Sequence, residues 1–148
     1  MLKKQRTWPY IIFLDIDGVL NQLQGNYYLD IRCIKNLATL CHKLNAQIVL
    51  TSSWRIGYLH IGSCSPQIEE LKAKFARYGI VLNGRVKNLN NRTDEIKEYI
   101  DTYQIKRFLI LDDDKMEFLN GILPNTYFVD GKKGLTEQDV NKIIRKYK

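Results

Sequence analysis

The chain of 148 residues contains no apolar run long enough to cross a bilayer, no internal repeat and no linker that would divide it, so the expectation is one soluble domain over residues 1–148 with a core of its own. Only three cysteines are present, Cys33, Cys41 and Cys64, an odd number without metal-ligand spacing. Cys33 and Cys41 fall more than two turns apart on one expected helix, and reduced thiols in a cytoplasmic protein are the reading. There are only two histidines: His42 reads as a solvent-facing or helix-packed side chain and His60 as an isolated loop residue. Acids are scarce beside bases, 16 against 23, and the formal charge of +7 points modestly to anionic partners. The basic residues gather at the ends, in Lys3, Lys4 and Arg6 and in Lys132, Lys133, Lys142, Arg145, Lys146 and Lys148, where solvated tails and helix faces also collect charge. The basic start followed by apolar residues imitates a secretory signal, but Asp15 and Asp17 interrupt the apolar run and no small-residue cleavage site follows. It reads as a basic arm leading into a strand, with no membrane partner.

What is present is an alternation of apolar runs and helical periodicity. Tyr10 to Leu14, Gln47 to Leu50, Ile80 to Leu82, Arg107 to Leu111 and Thr126 to Val129 read as strands. Helices are expected at about Ile31–Leu44, capped by Asp30, at Pro66–Tyr78, at Thr93–Tyr103 and at Thr136–Tyr147, where Thr136 and Asp139 form a capping-box pattern. Strands that are apolar throughout and alternate with helices predict a mainly parallel sheet covered on both faces, a Rossmann-like three-layer α/β/α sandwich.

Within this frame the most informative residues are Asp15 and Asp17, one residue apart where the first strand ends, with Gly18 supplying a turn. The carboxyl edge of such a sheet is where ligands bind. Two carboxylates beside an apolar segment repel each other and are costly to desolvate unless a divalent cation or a shared proton compensates. With a cation, one can attack a phosphoryl group and the other can donate a proton to the leaving oxygen. Asp112, Asp113 and Asp114 repeat the signal at the end of another buried strand, and hard oxygen ligands suit Mg2+. Thr51 closes a third apolar strand and could donate its hydroxyl to a phosphoryl oxygen, followed by Ser52, Ser53, Trp54 and Arg55. Trp54 and Arg55 could hold a base or a phosphate, or pack together under the loop. Arg92 would stand in the first turn of a helix, where a cation opposes the macrodipole and Asp94 and Glu95 favour it, so something other than helix stability is expected to hold it there.

The run Asp15-Ile16-Asp17-Gly18-Val19-Leu20 resembles the signature of the haloacid dehalogenase (HAD) superfamily of phosphatases and phosphotransferases, and the other three motifs of that family follow in order over nearly the whole chain. The resemblance implies a HAD-like fold, Asp15 as nucleophile, Asp17 as general acid and base, Thr51 as the second motif, and Arg92 as the third-motif cation, with Arg85, Lys87 and Lys97 as rivals. It further implies Mg2+ held among Asp15, Asp17, Asp112 and Asp113, with Asp113 the choice for direct ligand, Asp112 orienting, and Asp114 capping the next turn. Ser52, Trp54 and Arg55 are the substrate-binding candidates.

Only 34 residues separate Asp17 from Thr51 and 41 separate Thr51 from Arg92, which leaves no room for an inserted cap domain. An open site favours a large phosphorylated substrate, a nucleic-acid end or nucleotide. Thr51 to Arg55, Arg92 with Glu95-Ile96, and Gly134-Leu135-Thr136 are also similar to small HAD domains associated with RNA-repair proteins. The competing readings are a HAD-like module that binds phosphorylated or nucleic-acid partners without turnover, and a small-metabolite phosphatase or phosphotransferase using the loops Asn21–Tyr28 and Arg55–Ser65 as a partial lid.

Overall fold

The computed structural model describes residues 9–26, 28–58 and 62–147. The basic arm with Lys3, Lys4 and Arg6, the loop histidine His60, and Lys148 lie outside the described residues. Among the described residues five strands, β1 (Tyr10–Leu14), β2 (Ala46–Leu50), β3 (Leu82–Arg85), β4 (Arg107–Asp112) and β5 (Thr126–Phe128), form one parallel sheet in the order β3-β2-β1-β4-β5. Among the described residues four α-helices, α1 (Ile31–Leu44), α2 (Pro66–Arg77), α3 (Arg92–Tyr103) and α4 (Glu137–Tyr147), complete the three-layer sandwich. None is long and apolar enough to cross a membrane among the described residues.

Strand alternation decides which residues meet which helices. Ile12, Leu14, Ile48, Leu50, Leu109 and Leu111 point to one face and pack with Ile34, Leu37 and Leu40 of α1, Leu71 and Phe75 of α2, and Val140 and Ile143 of α4. Ile11, Phe13, Val49 and Ile110 point to the other, against Ile96 and Tyr99 of α3. The chain winds from β1 to β3 in one direction and then returns through α3 to β4, so the winding reverses between β1 and β4. Ligand sites in such sheets lie outside the carboxyl ends of the strands at that switch point.

Local chemistry sets the helix ends. Asp30 Oδ1 accepts from the Arg32 N–H at 2.8 Å to start α1, and Asn45 ends it in the left-handed region at φ 52°. Ser65 caps α2 with Pro66 in its first turn. At α4, Thr136 Oγ1 accepts from the Asp139 N–H and Asp139 Oδ2 accepts from the Thr136 N–H, a complete capping box.

The third strand differs from the expectation. Ile80 is buried but Val81 is 52% exposed, and the pairing with β2 begins at Leu82 and runs through Gly84 to Arg85 with a register shift between Ile48 and Val49. Ile80 serves the hydrophobic finish of the α2 turn, whereas β3 is a polar edge strand, which an apolar-run criterion does not detect.

Candidate active site

The pairing register draws the site. Leu50, Leu14 and Leu111 sit side by side on β2, β1 and β4, so the next residues, Thr51, Asp15 and Asp112, form a row across the carboxyl rim. Backbone bonds extend the ladder to this row: the Thr51 N–H donates to Leu14 O and the Asp15 N–H to Leu111 O, each at 3.0 Å. All three residues share the parity of Phe13, Val49 and Ile110 and therefore face the α3 side of the sheet.

That side is where α3 begins. Asn91 Oδ1 accepts from the Asp94 N–H at 3.0 Å, fixing the start of the helix with Arg92 as its first residue. Arg92 is buried; its Nη1 donates to Asp112 Oδ2 at 2.7 Å and lies 3.7 Å from Asp15 Oδ1. Among the described residues its Nε has no hydrogen-bond partner, and the Thr51 hydroxyl, itself fully buried, has none either. Unpaired buried donors are rare, and at a concave site they are places for a ligand acceptor.

The four acids divide their work. Asp112 is completely buried: its Oδ1 accepts from the N–H groups of Asp113 and Asp114 at 2.8 and 3.0 Å, and its Oδ2 takes Arg92. It holds the doublet's backbone and the arginine in place. Asp113 lines the cavity. Asp17 also lines the cavity, with Oδ1 accepting from Asn21 Nδ2 at 2.9 Å while Asn21 Oδ1 accepts from the Gly18 N–H at 2.8 Å. Gly18 is at φ +85°, and a Cβ there would collide with the Asp113 carboxylate, so the first turn and the doublet pack in direct contact. Asp114 caps the following turn through the Met116 N–H.

Asp15, Asp112 and Asp113 each offer a carboxylate oxygen within 4.8 Å of the others. Asp17, expected as a ligand, stands outside this trio. Two oxygens on one Mg2+ lie at most about 4.2 Å apart, so the set is close to the dimensions of a single coordination shell. Since both oxygens of Asp112 are engaged within the protein, Asp15 and Asp113 are the two that fit direct ligation. The electrostatics agree. Burial pushes the Asp15 carboxyl well above the ordinary carboxylate range, Asp112 and Asp113 add to the shift, and Arg92 opposes it. Burial raises Asp112 as well, against the pull of Arg92. Burial alone would lower Arg92, but Asp112 and Asp15 outweigh it and the guanidinium is held charged. Among the described residues the cavity, about 260 Å3, is lined by five acids, Asp15, Asp17, Asp113, Asp114 and Glu117, against the single cation Arg92, with Ser53 and Leu23 completing the wall. Such a wall calls for a further cation.

Residues after Thr51 are placed differently from the expectation. Ser52 is buried and its hydroxyl caps the short 3-10 turn Ser53–Gly57 through the Trp54 N–H. Trp54 is half-buried and packs on the larger core cluster. Arg55 is turned inward: Nη1 donates to Thr51 O and Ser52 O at 3.1 and 3.0 Å, and Nη2 donates to Asn88 Oδ1 and Glu95 Oε2, both at 2.9 Å. Among the described residues it is Ser53, not Ser52, Trp54 or Arg55, that lines the cavity. Arg55 thus ties the Thr51 loop to α3. The sequence does not single out the holders Asn21, Asn88 and Asn91. Glu95 stands in it only within the resemblance and as a helix-start acid, without this holding role, and its burial at 3% exposure shows the different use.

Acids on neighbouring central strands, converging at the switch point of a parallel sheet beside a helix-borne cation, are the arrangement of the HAD class. Residues 11–140 match the family described as the HAD domain in Swiss Army Knife RNA repair proteins, and the chain belongs to that family. HAD domains are in general phosphatase-type hydrolases that use a divalent metal, and the buried acid cluster fits metal binding. A search of the curated proteins gives no match.

Proposed function

We propose that the protein is a Mg2+-dependent phosphate monoester hydrolase acting on a phosphorylated nucleic-acid end. The observation that carries this reading is the convergence of Asp15 and Asp113 beside Arg92, with the unpartnered Thr51 hydroxyl in the same row. Mg2+ held by Asp15 and Asp113 would supply charge neutralisation at the phosphoryl oxygens. Asp15 attacks phosphorus in line, forming an aspartyl-phosphate as the bond to the leaving oxygen breaks, and Asp17 gives that oxygen its proton. Asp17, now ionised, then accepts a proton from water as the water oxygen attacks phosphorus and the bond to Asp15 breaks. Asn21 holds Asp17 at the cavity wall for both transfers. Arg92 Nε and Thr51 Oγ1 donate to equatorial oxygens, and positioning supplies most of the acceleration.

The choice of substrate rests on the family's association with RNA repair, on the short segments between motifs, which leave the site uncapped, and on the formal charge of +7. The test is phosphate release from 3′- and 5′-phosphorylated oligoribonucleotides, mononucleotides and a small aryl phosphate, with and without Mg2+. Metal-dependent release strongest with an oligonucleotide, and abolished by Asp15→Asn, is expected. Absence of release from every substrate, or release that survives Asp15→Asn, overturns the hydrolase; preference for a mononucleotide overturns the substrate.

A further inference from the structure

At the opposite rim of the sheet the charge pattern inverts. Tyr10 and Arg107 begin β1 and β4 as paired neighbours, and the last turn of α4 brings Lys146 and Tyr147 to the same place. Together with Lys106 and Phe108 they line a cavity of about 390 Å3 that contains three cations, three aromatic rings and no carboxylate among the described residues. Lys106, Arg107 and Lys146 are exposed, and none of them forms an ion pair with a described carboxylate. Lys146 is accounted for by the helix C-terminus it complements, but Lys106 and Arg107 have no such partner. The Arg107 guanidinium lies 5.1 Å from the centre of the buried Tyr10 ring, and the Lys146 ammonium lies 5.3 Å from the centre of the Tyr147 ring.

We propose that this floor of the domain is a docking site for single-stranded RNA, separate from the catalytic rim. The exposed Lys106, Arg107 and Lys146 meet phosphates, and the Arg107 guanidinium and the Tyr147 ring stack on bases, the combination that sequence-tolerant single-strand binders use. An acidic peptide has no use for the stacking faces, and a membrane surface would want apolar side chains beside the cations. The two rims stand about 17 Å apart along five-residue strands, so a strand docked here leaves its end free to reach elsewhere.

The experiment is fluorescence anisotropy of the full chain with a dye-labelled, unphosphorylated single-stranded RNA of about ten nucleotides across a salt series. The triple substitution Lys106→Gln, Arg107→Gln, Lys146→Gln is expected to weaken binding at least tenfold at low salt and to flatten the slope of log K against log salt by about 2. Tyr147→Leu should weaken binding several-fold while Tyr147→Phe leaves it intact. Hydrolysis of a small aryl phosphate is expected to be the same in the triple variant as in the unaltered chain. Unchanged RNA affinity and slope in the triple variant overturn the proposal, as does loss that appears equally with poly-glutamate or with phosphatidylserine-containing vesicles. Because the probe carries no terminal phosphate, failure here leaves the hydrolase reading standing, and failure of hydrolysis leaves this one standing.

Discussion

Glu95→Ala tests whether the loop carrying Thr51 is held by α3. The Arg55–Glu95 pair is buried, with side chains 9% and 4% exposed and Nη2 to Oε2 at 2.9 Å. Truncating Glu95 leaves a desolvated guanidinium without its counter-charge, a change that costs about 3–5 kcal/mol for buried pairs. Arg55 keeps Asn88 Oδ1 and the two carbonyls of Thr51 and Ser52, which argues for the lower end. The Leu89 N–H also loses its acceptor, at 3.0 Å, adding about 1 kcal/mol. A loss of about 3–4 kcal/mol is therefore expected from urea unfolding followed by fluorescence, equivalent to about 10 °C in Tm for a chain of this size. Arg55→Met should cost a similar amount by stranding Glu95. The double variant Arg55→Met, Glu95→Ala should lose clearly less than the sum, because neither charge is then buried alone. A loss below about 1 kcal/mol in Glu95→Ala, or strict additivity in the double variant, would show that the pair does not hold the Thr51 loop to α3.

Gly18→Ala introduces a methyl group into the Asp113 carboxylate at a φ of +85°, so it should reduce both metal affinity and phosphate release by at least tenfold while circular dichroism stays unchanged; normal metal binding would show that the turn and the doublet are not packed together. Burial pushes the thiols of Cys33 and Cys41 up to about 11 and about 12. Both should resist a thiol reagent at pH 8 in the folded protein and react quickly in urea, and rapid labelling of either in the native state would contradict the core placement. Their folded values lie above the ordinary thiol range, so their contribution to stability is complete below that range and is lost as pH rises through the folded values; urea midpoints should fall from about pH 9 upward.

The strongly periodic parts of the fold were legible in the sequence. Tyr10–Leu14 and Ile31–Leu44 occupy the ranges their patterns predict, because an uninterrupted apolar run and an Asp-capped stripe each leave one solution. The parallel three-layer sheet followed from strands that are apolar on both faces. β3 did not, since an edge strand of sequence Leu-Asn-Gly-Arg is stabilised by pairing with β2 rather than by burial of its own side chains. At the candidate site, residue types at strand ends were readable because adjacent acids have few other uses. The row of Thr51, Asp15 and Asp112 needed the pairing register, which no local pattern encodes. Arg55 illustrates the same gap: four residues after Thr51 it could have faced substrate or protein, and its partners Asn88 and Glu95 lie 33 and 40 residues away in the chain.

The proposed chemistry requires acids gathered to share one cation. Titration calorimetry of the chain with Mg2+ tests it directly: one ion per chain is expected, with affinity reduced at least tenfold in Asp113→Asn and reduced also in Asp15→Asn, while Asp130→Asn, at an exposed turn, leaves it unchanged. No Mg2+ uptake by the folded chain, or uptake that Asp113→Asn and Asp15→Asn both leave intact, would contradict it.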